Sequence, residues 1–338
     1  MNEMLQLNDF SVSFKTYAGE VQAVRGVNFK MREGERVAIV GESGSGKTVM
    51  TQSIVKLLPP PAYIKGGKVK YNGHELSNLN FRQLKKYKGK EIAYIFQDPM
   101  TSLNPTLKIG RQVIEGMRAH SKLSLDEALQ KALALLKEVG IQNPEKRLEQ
   151  YPHQLSGGMR QRVMIAMAIA MQPKLLIADE PTTALDVTIQ SQILGTLKRL
   201  NEEHGMALLL ITHNMGIVAG MAQRVAVMYG GCIVETGDVL DIFEHTLHPY
   251  TRCLLNSVPR LNEDSDNPLS YIVGSPPDML NPPLGCPFAP RCEHSMRICF
   301  EEMPASTLME SGHEAACWLL DKASEKQSDC QRNAVKEV

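Results

Sequence analysis

An eight-residue glycine-rich segment constrains this chain more than any other feature. Its sequence, GESGSGKT at residues 41–48, fits the pattern G-x-x-x-x-G-K-[ST] at every fixed position. It follows an apolar run at Arg36–Val40 and precedes a helical pattern at Thr48–Leu58, and this strand–loop–helix context distinguishes it from an ordinary glycine-rich turn. We therefore expect an α/β fold in which this loop binds phosphate groups at the N-terminus of a helix.

The residue types in this loop indicate how a nucleotide would be held. Glycines let backbone N–H groups turn inward around phosphate oxygens, and the helix N-terminus adds partial positive charge. Lys47 is expected to reach the β- and γ-phosphates, and the hydroxyl of Thr48 is expected to bind Mg²⁺. The expected nucleotide contacts in this segment are Gly41, Ser43, Gly44, Ser45, Gly46, Lys47 and Thr48.

Two carboxylates end a second apolar run, which reads LLIADE at residues 175–180. Burying a strand and placing two acids at its end is costly unless the acids serve a ligand. Asp179 is expected to hold Mg²⁺ through a water molecule, and Glu180 to polarise the attacking water as a general base. The alternative is a solvated strand end before a turn at Pro181, which the presence of the phosphate loop disfavours.

Two further predicted strands are followed by polar residues. Gln97 follows Glu91–Phe96, and His213 follows Ala207–Ile211. Either residue alone would be interpreted as a solvated loop residue. The carboxyl ends of parallel strands meet at one edge of a sheet, where ligands bind. We therefore expect Gln97 and His213 to join the same site as the loop and the two acids.

A second glycine-bearing turn, SGGM at residues 156–159, precedes the apolar helical run Val163–Met171. Ser156 is a suitable N-cap for that helix, and Gly157 and Gly158 leave backbone N–H groups free for an anion. A plain N-cap after a loop is the alternative. The other motifs favour a second anion-binding turn.

Composition excludes several classes of protein. Lys plus Arg total 37 and Asp plus Glu total 37 among 338 residues, so the net charge is zero and a nucleic-acid partner is not expected. The first residues lack a basic start followed by an apolar core, so no signal peptide is expected. No apolar run approaches the ~18 residues that span a bilayer. We expect a cytosolic protein, or one attached to a membrane only through partners.

The order of predicted elements indicates the architecture. Strands are predicted at Leu5–Phe14, Val21–Phe29, Lys68–Tyr71, Leu175–Ala178 and Val225–Tyr229, and helices at Leu125–Val139, Thr188–His204 and Met215–Met221. Strands that alternate with helices imply a mostly parallel sheet covered on both faces. Residues 98–170 are helical in pattern, residues 256–273 form a polar linker, and residues 321–338 are expected to be disordered.

These motifs, in this order, resemble the nucleotide-binding subunits of ATP-binding cassette (ABC) transporters. The resemblance covers residues 1–255 and implies the P-loop fold of ABC ATPases, with a mixed sheet and an inserted helical subdomain at about 98–170. It assigns catalysis to Glu180, His213, Gln97 and Lys47, and Mg²⁺ ligation to Thr48, Gln97 and Asp179. It also implies that Tyr17 stacks on adenine, that Asp186 faces a partner ATPase, and that Ser156, Gly157 and Gly158 bind the ATP of that partner.

A closer resemblance is to the ATPases of oligopeptide, dipeptide and nickel importers. It rests on FQDPMTSLNP at 96–105, YPHQLS at 151–156, HPYT at 248–251 and GCPFAPRC at 285–292. It implies import of peptides, or alternatively of nickel, with a second and different ATPase subunit, two permeases and an extracytoplasmic binding protein. It also implies a peripheral location on the cytoplasmic face of the membrane. An ABC ATPase without a transport role, or an iron–sulfur scaffold protein, remains an alternative.

Four of the seven cysteines cluster in a C-terminal segment at 274–320. Cys286, Cys292, Cys299 and Cys317 have the spacing C-x₅-C-x₆-C-x₁₇-C, and disulfides are not expected in a cytosolic protein. Four thiolates suit a [4Fe–4S] cluster or Zn²⁺, and four unliganded thiols remain possible. The resemblance to peptide-importer ATPases favours the [4Fe–4S] cluster, which we expect to stabilise this segment rather than to transfer electrons.

Overall fold

The computed structural model describes residues 3–183, 185–258 and 272–321. Its strands are β1 (Glu3–Thr16), β2 (Gly19–Arg32), β3 (Arg36–Val40), β4 (Ala62–Tyr71), β5 (His74–Glu75), β6 (Ile92–Ile95), β7 (Leu175–Asp179), β8 (Ala207–Thr212), β9 (Arg224–Tyr229), β10 (Cys232–Asp238), β11 (Ser306–Leu308) and β12 (Glu314–Ala316). Most of the predicted linker 256–273, and the predicted tail 321–338 beyond Asp321, lie outside the described residues.

The helices alternate with these strands through most of the chain. They are α1 (Lys47–Ile54), α2 (Phe81–Leu84), α3 (Pro99–Ser102), α4 (Ile109–His120), α5 (Leu125–Glu138), α6 (Pro144–Leu148), α7 (Gly157–Ile169), α8 (Val187–His204), α9 (Met215–Met221), α10 (Val239–Glu244), α11 (Pro249–Asn256) and α12 (Arg297–Glu301). Among the described residues, none of these helices combines the length and the apolarity needed to cross a bilayer.

Internal contacts divide the chain into two compact units. The helical unit comprises Met1–Gln6, Lys30–Val37 and Val69–Ile211, and the phosphate-loop unit comprises Leu7–Phe29, Ala38–Lys68 and Thr212–Val338. The names refer to the helices α2–α8 in the first unit and to the glycine-rich loop in the second.

The helical unit contains a parallel ladder formed by β6, β7 and β8. Ile92 pairs with Leu175, and Leu175 pairs with Ala207, so the three strands start and end at similar heights. All residues of β7 and β8 are buried, which explains their continuous apolar sequences, because parallel strands are covered on both faces. The carboxyl ends of these strands therefore share one edge, as predicted.

The predicted helical stretch at 98–170 is confirmed as α3 to α7. Ser124 and Glu127 form a capping box at the start of α5, so the sequence fixes where that helix begins. Helices α3, α4 and α5 all contact α7, and Val163, Ile165 and Ala166 of α7 are fully buried. Helix α7 is apolar on most sides for this reason.

The mixed sheet that the family resemblance implies is confirmed, because the phosphate-loop unit adds antiparallel strands to the predicted parallel ones. There β9, β10, β12 and β11 form an antiparallel ladder, with Cys232 opposite Tyr229 and Glu235 opposite Ala315. Gly230 and Gly231 form a two-residue turn with φ of 51° and 79°, the geometry that a tight hairpin requires. The predicted helix at Thr48–Leu58 also ends early, at Ile54, because Lys56 is left-handed with φ 50°.

The C-terminal cysteine-rich segment shares the core of the phosphate-loop unit. Phe288 is fully buried, and its ring lies 5.3 Å from the rings of both Tyr229 and Tyr250. Cys286 and Cys299 belong to the same apolar cluster as Val40 of β3. Burying a large apolar side chain contributes about 1.5–3 kcal/mol, so this segment is tied to the unit by packing as well as by the β10–β12 ladder.

Candidate nucleotide and cysteine sites

The phosphate loop is closed by the side chain of Lys47. Its ammonium group donates hydrogen bonds to the carbonyl oxygens of Gly41 at 2.8 Å and Glu42 at 2.7 Å, and to the hydroxyl of Ser45 at 3.2 Å. Lys47 is only 6% exposed. The ammonium group is therefore held inside the loop, where a phosphate oxygen would compete with the two carbonyls for it.

The glycine at position 46 is required by the backbone of the loop. Its φ is 100°, and a Cβ atom there would lie 2.4 Å from the carbonyl oxygen of Ala23. Gly46 is also the N-cap of α1, so the first N–H groups of that helix face the loop without a side-chain cap. At Gly44 a Cβ would meet nothing within 4 Å. A fixed loop at a helix N-terminus that no side chain caps, with open space beside it, fits an anionic phosphate chain.

In the helical unit, Asp179 is fixed at the end of β7. It is 1% exposed, and the hydroxyl of Tyr94 donates a hydrogen bond to its Oδ2 at 2.8 Å. A buried carboxylate is costly unless it is hydrogen-bonded or serves a cation. Carboxylate oxygens suit Mg²⁺, so the donor type at this position fits the metal that the sequence predicts.

Glu180 has an unusual backbone that its neighbours hold in place. Its φ is 44°, a left-handed conformation that costs a non-glycine residue about 1–3 kcal/mol. Its Oε2 accepts hydrogen bonds from the amide of Gln97 and the hydroxyl of Thr183, both at 2.9 Å. The predicted pair of Gln97 and Glu180 is therefore brought together, and the carboxylate is oriented by two donors.

The second glycine turn begins α7, as predicted. Ser156 is the N-cap, and its hydroxyl accepts a hydrogen bond from the N–H of Met159 at 3.4 Å. A Cβ atom at Gly158 would lie 2.7 Å from Cγ2 of Ile189 in α8, so only glycine allows this close approach. Ser156 is exposed. The turn thus presents a capped helix N-terminus on the surface.

The remaining predicted residues lie on the surface. Asp186 is the N-cap of α8 and accepts a hydrogen bond from the N–H of Ile189 at 2.9 Å. His213 is exposed and directly follows β8. Tyr17 is fully exposed in the turn between β1 and β2, as a ring that stacks on a ligand would be. The roles of these three residues remain predictions.

Sequence reasoning did not identify Tyr94, Thr183 or Glu42. Tyr94 lies three residues before Gln97, and Thr183 lies three residues after Glu180. A hydroxyl this close to a candidate acid is a signal that could have suggested the first two. Glu42 occupies a variable position of the loop pattern, so its partner at residue 291 gives no local signal.

The four clustered cysteines line one small cavity in the phosphate-loop unit, together with His248. His248 is 1% exposed, and burial lowers its pKa to about 4, so the imidazole is neutral. Its Nδ1 accepts a hydrogen bond from the N–H of Tyr250, which places the proton on Nε2. That Nε2 is a buried donor without a partner. A buried donor of this kind needs an acceptor atom, from a water molecule or from a ligand.

Backbone N–H groups surround the four sulfur atoms. Burial raises the pKa of Cys286 to about 12 and that of Cys317 to about 11, and it also raises the pKa of Cys292. Backbone N–H groups donate to three of these sulfurs and oppose the rise in their pKa, from Phe288 to Cys286, from His294 to Cys292 and from Leu319 to Cys317. The N–H of Met296 donates to the sulfur of Cys299 at 3.4 Å. Such donors are the usual surroundings of thiolates that hold a cluster.

The distances between these sulfur atoms can be compared with those around a bound zinc ion. Sulfur atoms bound to one Zn²⁺ lie ~3.8 Å apart, because each Zn–S bond is ~2.3 Å long. Among the described residues, Glu138, Glu203 and His204 form a group of three ligand atoms within 4.8 Å of one another, and no set of the four cysteines does. No three of the four sulfur atoms therefore lie as close together as they would around one bound zinc ion.

The fold and the nucleotide residues together define an ABC-type ATPase. The family described as "ABC transporter" matches residues 24–183, and the family described as "Oligopeptide/dipeptide transporter, C-terminal region" matches residues 234–299. A dimeric ATP-binding cassette solved with ADP and phosphate has a TM-score of 0.64 and 30% identity, covering 70% of this chain and 99% of that one. The fold class predicted from the sequence is confirmed.

Two curated relatives cover nearly the whole chain. The oligopeptide transport ATP-binding protein OppD of Bacillus subtilis is 53% identical over 95% of this chain and 90% of the relative. The dipeptide transport ATP-binding protein DppD of the same organism is 49% identical, covering 96% and 97%. The chain therefore belongs to the ATP-binding subunits of the oligopeptide/dipeptide ABC transporter family.

Proposed function

We propose that this protein hydrolyses ATP to power the import of oligopeptides or dipeptides through partner permease subunits. The observation that carries the proposal is the extent of the similarity, which continues beyond the cassette into a C-terminal region typical of peptide transporters. The protein would act at the cytoplasmic face of the membrane, attached through those permeases.

Each nucleotide residue has a proposed task. Lys47 and the N–H groups of the loop bind the phosphates, and Thr48, Gln97 and Asp179 provide oxygen ligands for Mg²⁺, which neutralises phosphate charge when bound. Glu180 orients and deprotonates the attacking water, and His213 contacts the γ-phosphate. The hydrogen bonds of Gln97 and Thr183 to Glu180 support this, because they orient the carboxylate before any ligand binds.

The Ser156–Gly158 turn, whose serine is exposed, supports an arrangement of two ATPase subunits. A capped helix N-terminus on the surface can bind the nucleotide of a partner, and Asp186 would face that partner. We propose that the partner is a second, different ATPase, with two permeases and an extracytoplasmic binding protein completing the transporter. Each composite site would then need residues from both ATPases.

Reconstitution tests this function directly. The chain, co-purified with its permeases in proteoliposomes containing the binding protein, is expected to hydrolyse ATP several-fold faster when peptide is added. The stimulation of ATP hydrolysis by di-, tri- and pentapeptides would be compared to rank them as substrates. Ni²⁺ would be tested in the same way as the comparison ligand. Stimulation by Ni²⁺ and not by peptides would contradict peptide import and support the alternative of a nickel importer.

We further propose that the four cysteines hold a [4Fe–4S] cluster. The proposal is supported by three observations: the four cysteines line one cavity, backbone N–H groups donate to their sulfurs, and His248, whose Nε2 has no partner, lines the same cavity. When bound, the cluster would supply four covalent attachments that hold the cysteine-rich segment together. Zinc or free thiols are the alternatives.

Substitution of one cluster cysteine should remove the iron. Protein with Cys286→Ser, purified without oxygen, is expected to lose most of its iron, its acid-labile sulfide and its absorption near 400 nm. The matched control is Cys232→Ser, which replaces a buried thiol outside this cavity and should keep the iron of the wild type. A colourless, iron-free wild-type protein would contradict the cluster.

A further inference from the structure

An arginine of the cysteine-rich segment is paired with the phosphate loop. Nη1 of Arg291 donates to Oε2 of Glu42 at 2.6 Å, and Nη2 donates to Oε1 at 3.1 Å. This bidentate geometry is the strongest form of an arginine–carboxylate pair. The hydrogen bond to Glu42 also raises the pKa of Arg291, so the guanidinium stays charged. The two residues are 249 positions apart in sequence.

The pair is built into its surroundings rather than lying free on the surface. The side chain of Arg291 is only 5% exposed, against 24% for Glu42. Its other N–H groups donate to the hydroxyl of Tyr229 at 2.9 Å and to the carbonyl oxygens of Ile272 at 3.0 Å and Val273 at 2.9 Å. The guanidinium therefore has one position, and that position places its charge beside the loop.

Glu42 connects this arginine with the residue that binds phosphate. Its N–H donates to the hydroxyl of Tyr250 at 2.8 Å, and its carbonyl accepts from Nζ of Lys47 at 2.7 Å. Arg291, Glu42 and Lys47 thus form one connected chain of hydrogen bonds. Pro276 and Pro277 of the same C-terminal segment line a small cavity with Ser43 and Gly44, so the segment borders the loop at a second place.

The negative charge of Glu42 would repel the phosphate groups of a nucleotide, and Arg291 neutralises that charge. A nucleoside triphosphate carries several negative charges. Without Arg291, the phosphate loop that binds it would also carry the uncompensated carboxylate of Glu42. Like charges repel more strongly when they are only partly solvated than when they are in water. Because Arg291 is paired with Glu42, the two side chains together carry no net charge. Lys47 and the N-terminus of α1 then provide the positive charge that attracts phosphate.

We propose that Arg291 is a positioning residue for nucleotide binding: it acts through Glu42, whose negative charge it neutralises beside the phosphate loop. The cysteine-rich segment thereby contributes to the affinity for ATP. This inference rests on the proposed binding of ATP at the loop and extends it to a residue outside the cassette. It assigns no contact between Arg291 and the nucleotide.

Charge-removal variants of the full-length protein test the inference. Arg291→Gln is expected to weaken binding of MgATP by roughly tenfold at low ionic strength, measured by calorimetry. The double variant Arg291→Gln with Glu42→Gln should recover most of that loss, because no uncompensated carboxylate remains. The deficit of the single variant should also shrink as salt is raised, since salt screens repulsion between charges.

Two comparisons separate this role from a general effect on folding. Arg297→Gln, in the same segment, breaks an exposed pair with Glu301 and should leave ATP binding unchanged. If Arg291→Gln does not fold, the inference is tested with Glu42→Gln alone. That variant should bind ATP at least as tightly as the wild type. A double variant that binds as weakly as Arg291→Gln, or a weakened Glu42→Gln, would overturn the inference. Failure of the wild type to bind ATP would instead contradict the proposed function.

Discussion

Replacing Glu180 with glutamine is expected to slow ATP hydrolysis by the assembled transporter about 10²–10⁴-fold while ATP binding is kept. Glutamine has nearly the same shape and retains an oxygen that can accept hydrogen bonds from Gln97 and Thr183. It lacks the basicity needed to take a proton from water. The ATPase rate in proteoliposomes and the ATP retained by the purified complex would be measured together.

The control for this variant is Glu149→Gln, which removes an exposed carboxylate in the same unit. Glu149 is 73% exposed and pairs with Lys108 at the surface, so its loss should change neither rate nor binding. Normal turnover by Glu180→Gln would refute its assignment as the general base. Loss of ATP binding in that variant would show that the carboxylate serves the loop or the metal instead.

The second large effect is expected for Lys47→Ala, which should weaken ATP binding roughly 10- to 150-fold. That range follows from hydrogen bonds to charged groups, which contribute about 1.5–3 kcal/mol. The variant also removes the three hydrogen bonds from the Lys47 ammonium group to the phosphate loop. Binding of a fluorescent ATP analogue to the full-length protein would give the affinity, and turnover should fall with it.

Lys65→Ala provides the matched control for Lys47→Ala. Lys65 lies in the same unit, is 43% exposed and forms a surface pair with Glu20, so this variant should bind ATP as the wild type does. Together, Lys47→Ala and Glu180→Gln separate ATP binding from ATP hydrolysis. Lys47→Ala should impair binding, and Glu180→Gln should impair hydrolysis. Equal ATP affinity in Lys47→Ala and the wild type would place the phosphate site elsewhere.

Local patterns predicted the elements that carry the nucleotide residues. The strand at Arg36–Val40 and the helix at Met215–Met221 have the bounds that the sequence predicts, because apolar runs flanked by glycine or polar residues are local signals. The cap at Ser156 and the contact between Gln97 and Glu180 were also predictable, the second because β6 and β7 are parallel neighbours.

Features that depend on distant residues could not be predicted in this way. Strand β10 pairs with β9 across a glycine turn and with β12 from the C-terminal segment, and its own sequence alternates too weakly to indicate a strand. The pairing of Arg291 with Glu42 depends on tertiary structure alone. Hydrophobic periodicity reports the burial of a residue and not which distant residue covers it.

The common core of Phe288, Tyr229 and Tyr250 has a consequence for how this protein is divided. A chain that ended before residue 274 would expose the two tyrosine rings to water and leave Glu42 without its guanidinium partner. The cysteine-rich segment is therefore not a detachable appendage of an otherwise complete ATPase. We expect the two parts to fold together. The effects on stability of substitutions on the two sides of these rings should therefore not be additive.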